Sequence, residues 1–123
     1  MIRGIVTAER EAVIDLSLLE AEGDPLSVTV VIDTGYTGWL TLPPAQVAAL
    51  RLSFNRFGRA ALADGTEIAF SVYDAGIIWD GQLRQIQVDE VDAEPLVGMS
   101  LMQGYKLTVE DITGGLVTLE RLG

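Results

Sequence analysis

Apolar and polar residues alternate along much of this chain with the period of two that marks β-strands. In "EAVIDLSLL", Val13, Asp15 and Ser17 stand against Ile14, Leu16 and Leu18. With "IRGIV" across the polar "TAERE", this segment reads as a hairpin. The acidic "EAEGDP" is a loop, with Gly23 for an unusual backbone angle and Pro25 to stop the strand. "LSVTVVI" is a β-branched run typical of a buried strand, and it delivers Asp33 at its end. "GWLTLP" resumes extended structure, and "PPAQVAALRL" predicts a short helix with Pro44 at its start and Val47 and Leu50 on one face. Two Asp-Gly pairs, Asp64-Gly65 and Asp80-Gly81, each lie between strand-like segments, which is a strong hairpin signal. "DEVDAEP" is an acidic loop, "LVGMSLMQGY" holds a helical turn, and "KLTVEDITGGLVTLERL" is a closing strand pair around Gly114-Gly115. No repeat, linker or long amphipathic helix interrupts the pattern. Residues 1–123 are therefore expected to form one mostly-β domain, a closed or partly closed barrel with one or two short helices.

Composition narrows the chemistry by what is missing. The chain has no His and no Cys. That excludes Ser-His-Asp and Cys-His nucleophile systems, disulfides, and the usual zinc and iron–sulfur sites. Acid–base work falls to carboxylates, tyrosines or the single lysine, Lys106. A formal net charge of −10 argues against nucleic acid and anionic membrane surfaces as partners. Apolar runs such as residues 30–32 and 60–63 are far too short to span a bilayer. The opening "MIRGIVTAERE" shows no signal-peptide pattern, so the expected location is the cytoplasm. The acidic run Asp89, Glu90, Asp92 and Glu94 lacks the central glycine and terminal Glu of a calcium loop and reads as a solvated loop. Trp39 and Trp79 read as core or interface anchors.

The unusual feature is Asp33, a carboxylate placed at the end of an apolar strand and followed at once by Thr34 and Gly35. A carboxylate taken out of water costs several kcal/mol, in round terms, unless it is paired or hydrogen-bonded. Asp-Thr-Gly also occurs as an ordinary turn, with Asp bonding its own backbone. Here two further landmarks follow it in order, the Asp64-Gly65 hairpin and the apolar "PLVGMSLM". Over residues 26–109 the chain resembles the retropepsin-like (clan AA) aspartic proteases, the small bacterial and archaeal single-lobe type. "DITGG", beginning at Asp111, has an inserted Ile and reads as a plain hairpin turn.

The resemblance implies a small closed β-barrel of the retropepsin type and an aspartic endopeptidase assembled as a homodimer. Asp33 from each chain would meet on a two-fold axis and activate a water for attack on a peptide or protein substrate. Thr34 would donate across the interface, and Gly35, lacking a side chain, would let its N–H approach the Asp oxygens. Ala63, Asp64, Gly65 and Thr66 would form the flap over the substrate, while Tyr36, Leu96, Val97 and Gly98 would line the cleft. The terminal strands "MIRGIV" and "GLVTLERL" would join the interface, because they would otherwise be exposed edges. No metal or organic cofactor is implied. Two positions depart from the family: Tyr36 where Ala or Ser is common, and Met99-Ser100 where retroviral members place Arg with Asn or Asp. Tyr36 would narrow the cleft, bond substrate or loop through its hydroxyl, or pack on the barrel surface with its hydroxyl in water. The alternatives to a protease are a non-catalytic dimerisation or peptide-binding module on the same fold, and a monomer using Asp33 only as a turn.

Overall fold

The computed structural model describes residues 1–123, with ten strands and two short helices. In chain order they are β1 (Ile2–Val6), β2 (Ala12–Leu19), β3 (Pro25–Ile32), β4 (Leu40–Leu42), α1 (Pro44–Leu50) and β5 (Ser53–Ala61). Then come β6 (Glu67–Trp79), β7 (Gln82–Glu90), β8 (Leu96–Val97), α2 (Met99–Met102), β9 (Tyr105–Val109) and β10 (Leu116–Arg121). Strand order in the sheet is β5-β6-β7-β4-β8-β3-β2-β1-β10-β9, and β2 also pairs with β6. That extra pairing, Ser17 to Leu19 against Gly76 to Ile78, closes β6, β7, β4, β8, β3 and β2 into a ring.

Period-two patterning explains why the ring closes around a core. Ile14, Leu16 and Leu18 of β2 and Val28 and Val30 of β3 all point inward and are buried. They meet Ile77 and Trp79 of β6, Ile86 and Val88 of β7, and Leu40 and Leu42 of β4 in one apolar cluster. Helix α1 closes one end with Val47 and Leu50; its Pro44 sits in the first turn and Arg51 ends it in the left-handed conformation. Beyond the ring, β1, β10 and β9 extend the sheet from β2.

Several expectations change here. Pro25 opens β3 rather than ending a strand, and β3 is buried on one face only. On its outer face Thr29 donates to Asp15 across the strand pair at 2.6 Å. Asp89 and Glu90 belong to β7 and are half-buried, so only Asp92 and Glu94 are solvated loop residues. Trp79 is in the core, whereas Trp39 is half-buried beneath the Arg84 guanidinium, 5.4 Å from its ring centre. The terminal strands are not edges: β1 lies between β2 and β10, and β10 between β1 and β9. Their backbone groups are paired within the chain, which removes the edge argument for an interface there; the edges are β5 and β9.

One pair of strands leaves the ring. Strand β5 runs along β6 as far as Asp74, where β2 takes over the same edge from Gly76. On its other edge β6 pairs with β7 only from Val72 onward. Residues 57–61 of β5 and 67–71 of β6 therefore form a two-stranded arm with no third strand beside it.

Candidate active site

Asp33 stands where β3 leaves the sheet, and its position is fixed from both sides. Strand β8 lies between β3 and β4, parallel to the first (Val31 opposite Leu96, Ile32 opposite Val97) and antiparallel to the second. The Asp33 amide donates to the Val97 carbonyl at 3.0 Å. The Gly35 amide donates to Asp33 Oδ1 at 2.9 Å, and a Cβ on Gly35 would lie 3.2 Å from that oxygen. Asp33 is half-buried, with Thr34 and Gly35 exposed at the turn. One carboxylate oxygen is thus satisfied by its own loop.

The segment after the turn is laced to the start of α2. The amides of Gly98, Met99 and Ser100 donate to the carbonyls of Trp39, Tyr36 and Gly38 at 3.0, 2.8 and 3.1 Å. The Ser100 hydroxyl adds a bond to the Thr37 carbonyl at 2.5 Å. Gly98 is buried, and a Cβ there would strike the Gly38 carbonyl and the Tyr36 ring. "PLVG" is therefore the bed on which the Asp33 loop rests: Leu96 and Val97 as strand, Gly98 as the point of closest approach.

The Tyr36 ring is half-buried, and its hydroxyl donates to Asp89 Oδ2 of β7 at 2.6 Å. Burial first, then the bond to Asp89 and that carboxylate's charge, push the phenol well above its ordinary pKa. The sequence offered Asp89 only as part of a solvated acidic run, not as a partner of this loop. It lies in an acidic stretch with no motif, and only the parallel pairing of β4 with β7, which sets Thr41 opposite Asp89, brings it here.

Ala63, Asp64, Gly65 and Thr66 form the exposed tip of the arm. Asp64 Oδ1 accepts from the Thr66 hydroxyl at 2.6 Å and from its amide at 3.0 Å, and Gly65 takes φ +87°. Those bonds, the hydroxyl's first, hold the Asp64 carboxyl below its usual range. Between the arm and the Asp33-side segment is a cleft of about 310 Å³. Gly38 and Trp39 face Arg59 and Phe70 across it, with Asp89 and Ser100 also in its wall. Asp33, Thr34, Tyr36, Leu96, Val97 and Gly98 do not line that cleft in the single chain. A larger hollow of about 570 Å³, over Arg3, Ile5 and Asp15, involves no residue of the Asp33 loop. No helix is long and apolar enough to cross a membrane.

No protein-family model matches the chain, and no curated protein matches its sequence. Solved structures do. A retropepsin-like aspartic protease from Rickettsia conorii superposes with a TM-score of 0.66 at 14% identity, covering 96% of this chain and 87% of that one. The EIAV protease complexed with the inhibitor HBY-793 gives 0.55 at 16% identity, over 78% of this chain and 88% of the other. A closed strand ring, an Asp-Thr-Gly loop bedded on an apolar-apolar-Gly segment and a projecting arm accompany that likeness. The chain has the retropepsin-like fold.

Proposed function

We propose that the protein is an aspartic endopeptidase that works as a homodimer, with Asp33 of each chain facing the other across a two-fold axis. The observation that carries this is the Asp33–Gly35 turn: a carboxylate held by the Gly35 amide, at the end of β3, in a fold shared with aspartic proteases. One chain supplies one such aspartate in an Asp-Thr-Gly setting, so a pair needs two chains. Two carboxylates about 3 Å apart share a proton; the ionised member takes a proton from water while the protonated member polarises the scissile carbonyl. Thr34, exposed on the turn, is available to donate to the partner loop. The arm closes over an extended peptide, its tip supplying backbone groups to the substrate as an added strand would.

The test is incubation of the protein with a diverse peptide library, with Asp33→Asn as control. Wild type is expected to cleave and to sediment as a dimer. Asp33→Asn, which keeps the shape but not the base, is expected to lose about 10²- to 10⁴-fold in activity. With no histidine present, both limbs of the pH–rate profile belong to coupled carboxylates, and chelators and thiol reagents leave the rate unchanged. A dimer that binds peptides and cleaves none is the non-catalytic module instead. Cleavage by a protein that sediments only as monomer rules out the shared site.

A further inference from the structure

We infer that Tyr36 is a positioning residue for Asp33, holding the catalytic loop to β7 through its hydrogen bond to Asp89. The inference rests on the endopeptidase reading above. Tyr36 is tied to its surroundings at three points: its amide donates to the Asp33 carbonyl at 3.2 Å, its carbonyl accepts from Met99 at 2.8 Å, and its hydroxyl donates to Asp89. The two backbone bonds join the loop to itself and to α2. Only the side chain joins it to β7, the strand whose Asp89 also lines the cleft beneath the arm.

The space around the ring is made for it. A Cβ at Gly38 would fall on the Tyr36 hydroxyl end, and a Cβ at Gly98 on the opposite edge of the ring. Both glycines have negative φ or unremarkable backbone, so close approach rather than conformation explains them. The bond itself is a phenol on a carboxylate at 2.6 Å, short and charge-assisted, in a half-buried setting where losing one partner is costly. Thr34 and Gly35 are exposed, and an acid–base group misplaced by about 1 Å can lose on the order of a hundredfold in rate. The Asp33 amide already ties the start of the loop to Val97 of β8, and Tyr36–Asp89 is the side-chain bond that ties the loop to β7.

The experiment is steady-state kinetics on a peptide that wild type cleaves. Tyr36→Phe keeps the ring and backbone and removes only the hydroxyl; its kcat is expected to fall about tenfold with KM within about twofold. Asp89→Ala falls similarly, whereas Asp89→Asn, which retains an acceptor oxygen, loses less than Asp89→Ala. Tyr36→Phe combined with Asp89→Ala loses no more than the worse single change, because both remove one bond. Should Tyr36→Phe not fold, the ranking of Asp89→Asn over Asp89→Ala reads the same bond. A wild type that cleaves while Tyr36→Phe keeps its kcat, or a double variant whose losses multiply, overturns this inference alone. A wild type that cleaves nothing overturns the endopeptidase reading and this inference with it.

Discussion

An added methyl at Gly98 and one at Gly65 would meet opposite fates. At Gly98 it strikes the Gly38 carbonyl, which is backbone and cannot step aside; at Gly65 nothing lies within 4 Å and only φ +87° resists it. Gly98→Ala is expected to destabilise by about 1–3 kcal/mol and Gly65→Ala by about 1 kcal/mol, both read from urea unfolding. Equal costs would mean that the bed under the Asp33 loop is slack. Asp64 sets a separate expectation. Its carboxyl is lowered by the Thr66 hydroxyl and amide, so the ordering it gives the arm tip is present above the ordinary aspartate range. That ordering disappears as pH falls through the lowered value. The Thr66 amide resonance should titrate with Asp64 at a pH below that of a free aspartate, and not at all in Asp64→Ala. At this scale the turn Asp33-Thr34-Gly35 was legible because it follows an apolar strand and precedes, in order, the Asp64-Gly65 hairpin and "PLVG". Asp89 was not legible, since a carboxylate gains its role here from a phenol more than fifty positions away, which no local pattern encodes.

Strands and turns differ in how openly the chain declares them. Asp80-Gly81 is a two-residue hairpin turn with φ of 51° and 80°, the pair of positive angles that Asp-Gly favours. Asp64-Gly65 marks a turn as well, but inside the longer loop closed by the Leu62 amide on the Thr66 carbonyl at 2.7 Å. Helix α1 and the turn of α2 follow from Pro44, Val47 and Leu50 and from the apolar "MSLM". Which strands close the ring did not follow, because β2 meets β6, and β8 slots between β3 and β4, through contacts between distant parts of the chain. The same topology makes the arm separable. No residue between 53 and 71 belongs to the main apolar cluster or packs against it. Replacing residues 62–66 by Asn-Gly is expected to leave the melting temperature within a few degrees, since surface changes cost about 0.5 kcal/mol or less, while abolishing the proposed peptide cleavage. A large drop in melting temperature would instead make the arm part of the folding core.

Two chains of net charge −10 must approach each other for the proposed dimer to exist. Salt shortens the reach of that repulsion, to about 10 Å at 0.1 M. Dimerisation is therefore expected to strengthen as ionic strength rises from about 0.01 to about 0.15 M, measured by sedimentation equilibrium. Weakening with salt would point to an interface stitched by ion pairs. That the whole is a β ring was readable from strand count and turn spacing; which strands are edges was not, because β1 meets β10 from opposite ends of the chain, Ile2 facing Leu119. Such pairings also order events during synthesis, which runs from the N-terminus at about 5–20 residues per second. Asp33 emerges early, yet its amide bonds to Val97 and its loop is roofed by Gly98, Met99 and Ser100, from the last quarter of the sequence. Until those residues clear the ribosome the turn has nothing to lie against. A growing chain thus carries Asp33 without the bed its loop rests on until Val97 to Ser100 have been made.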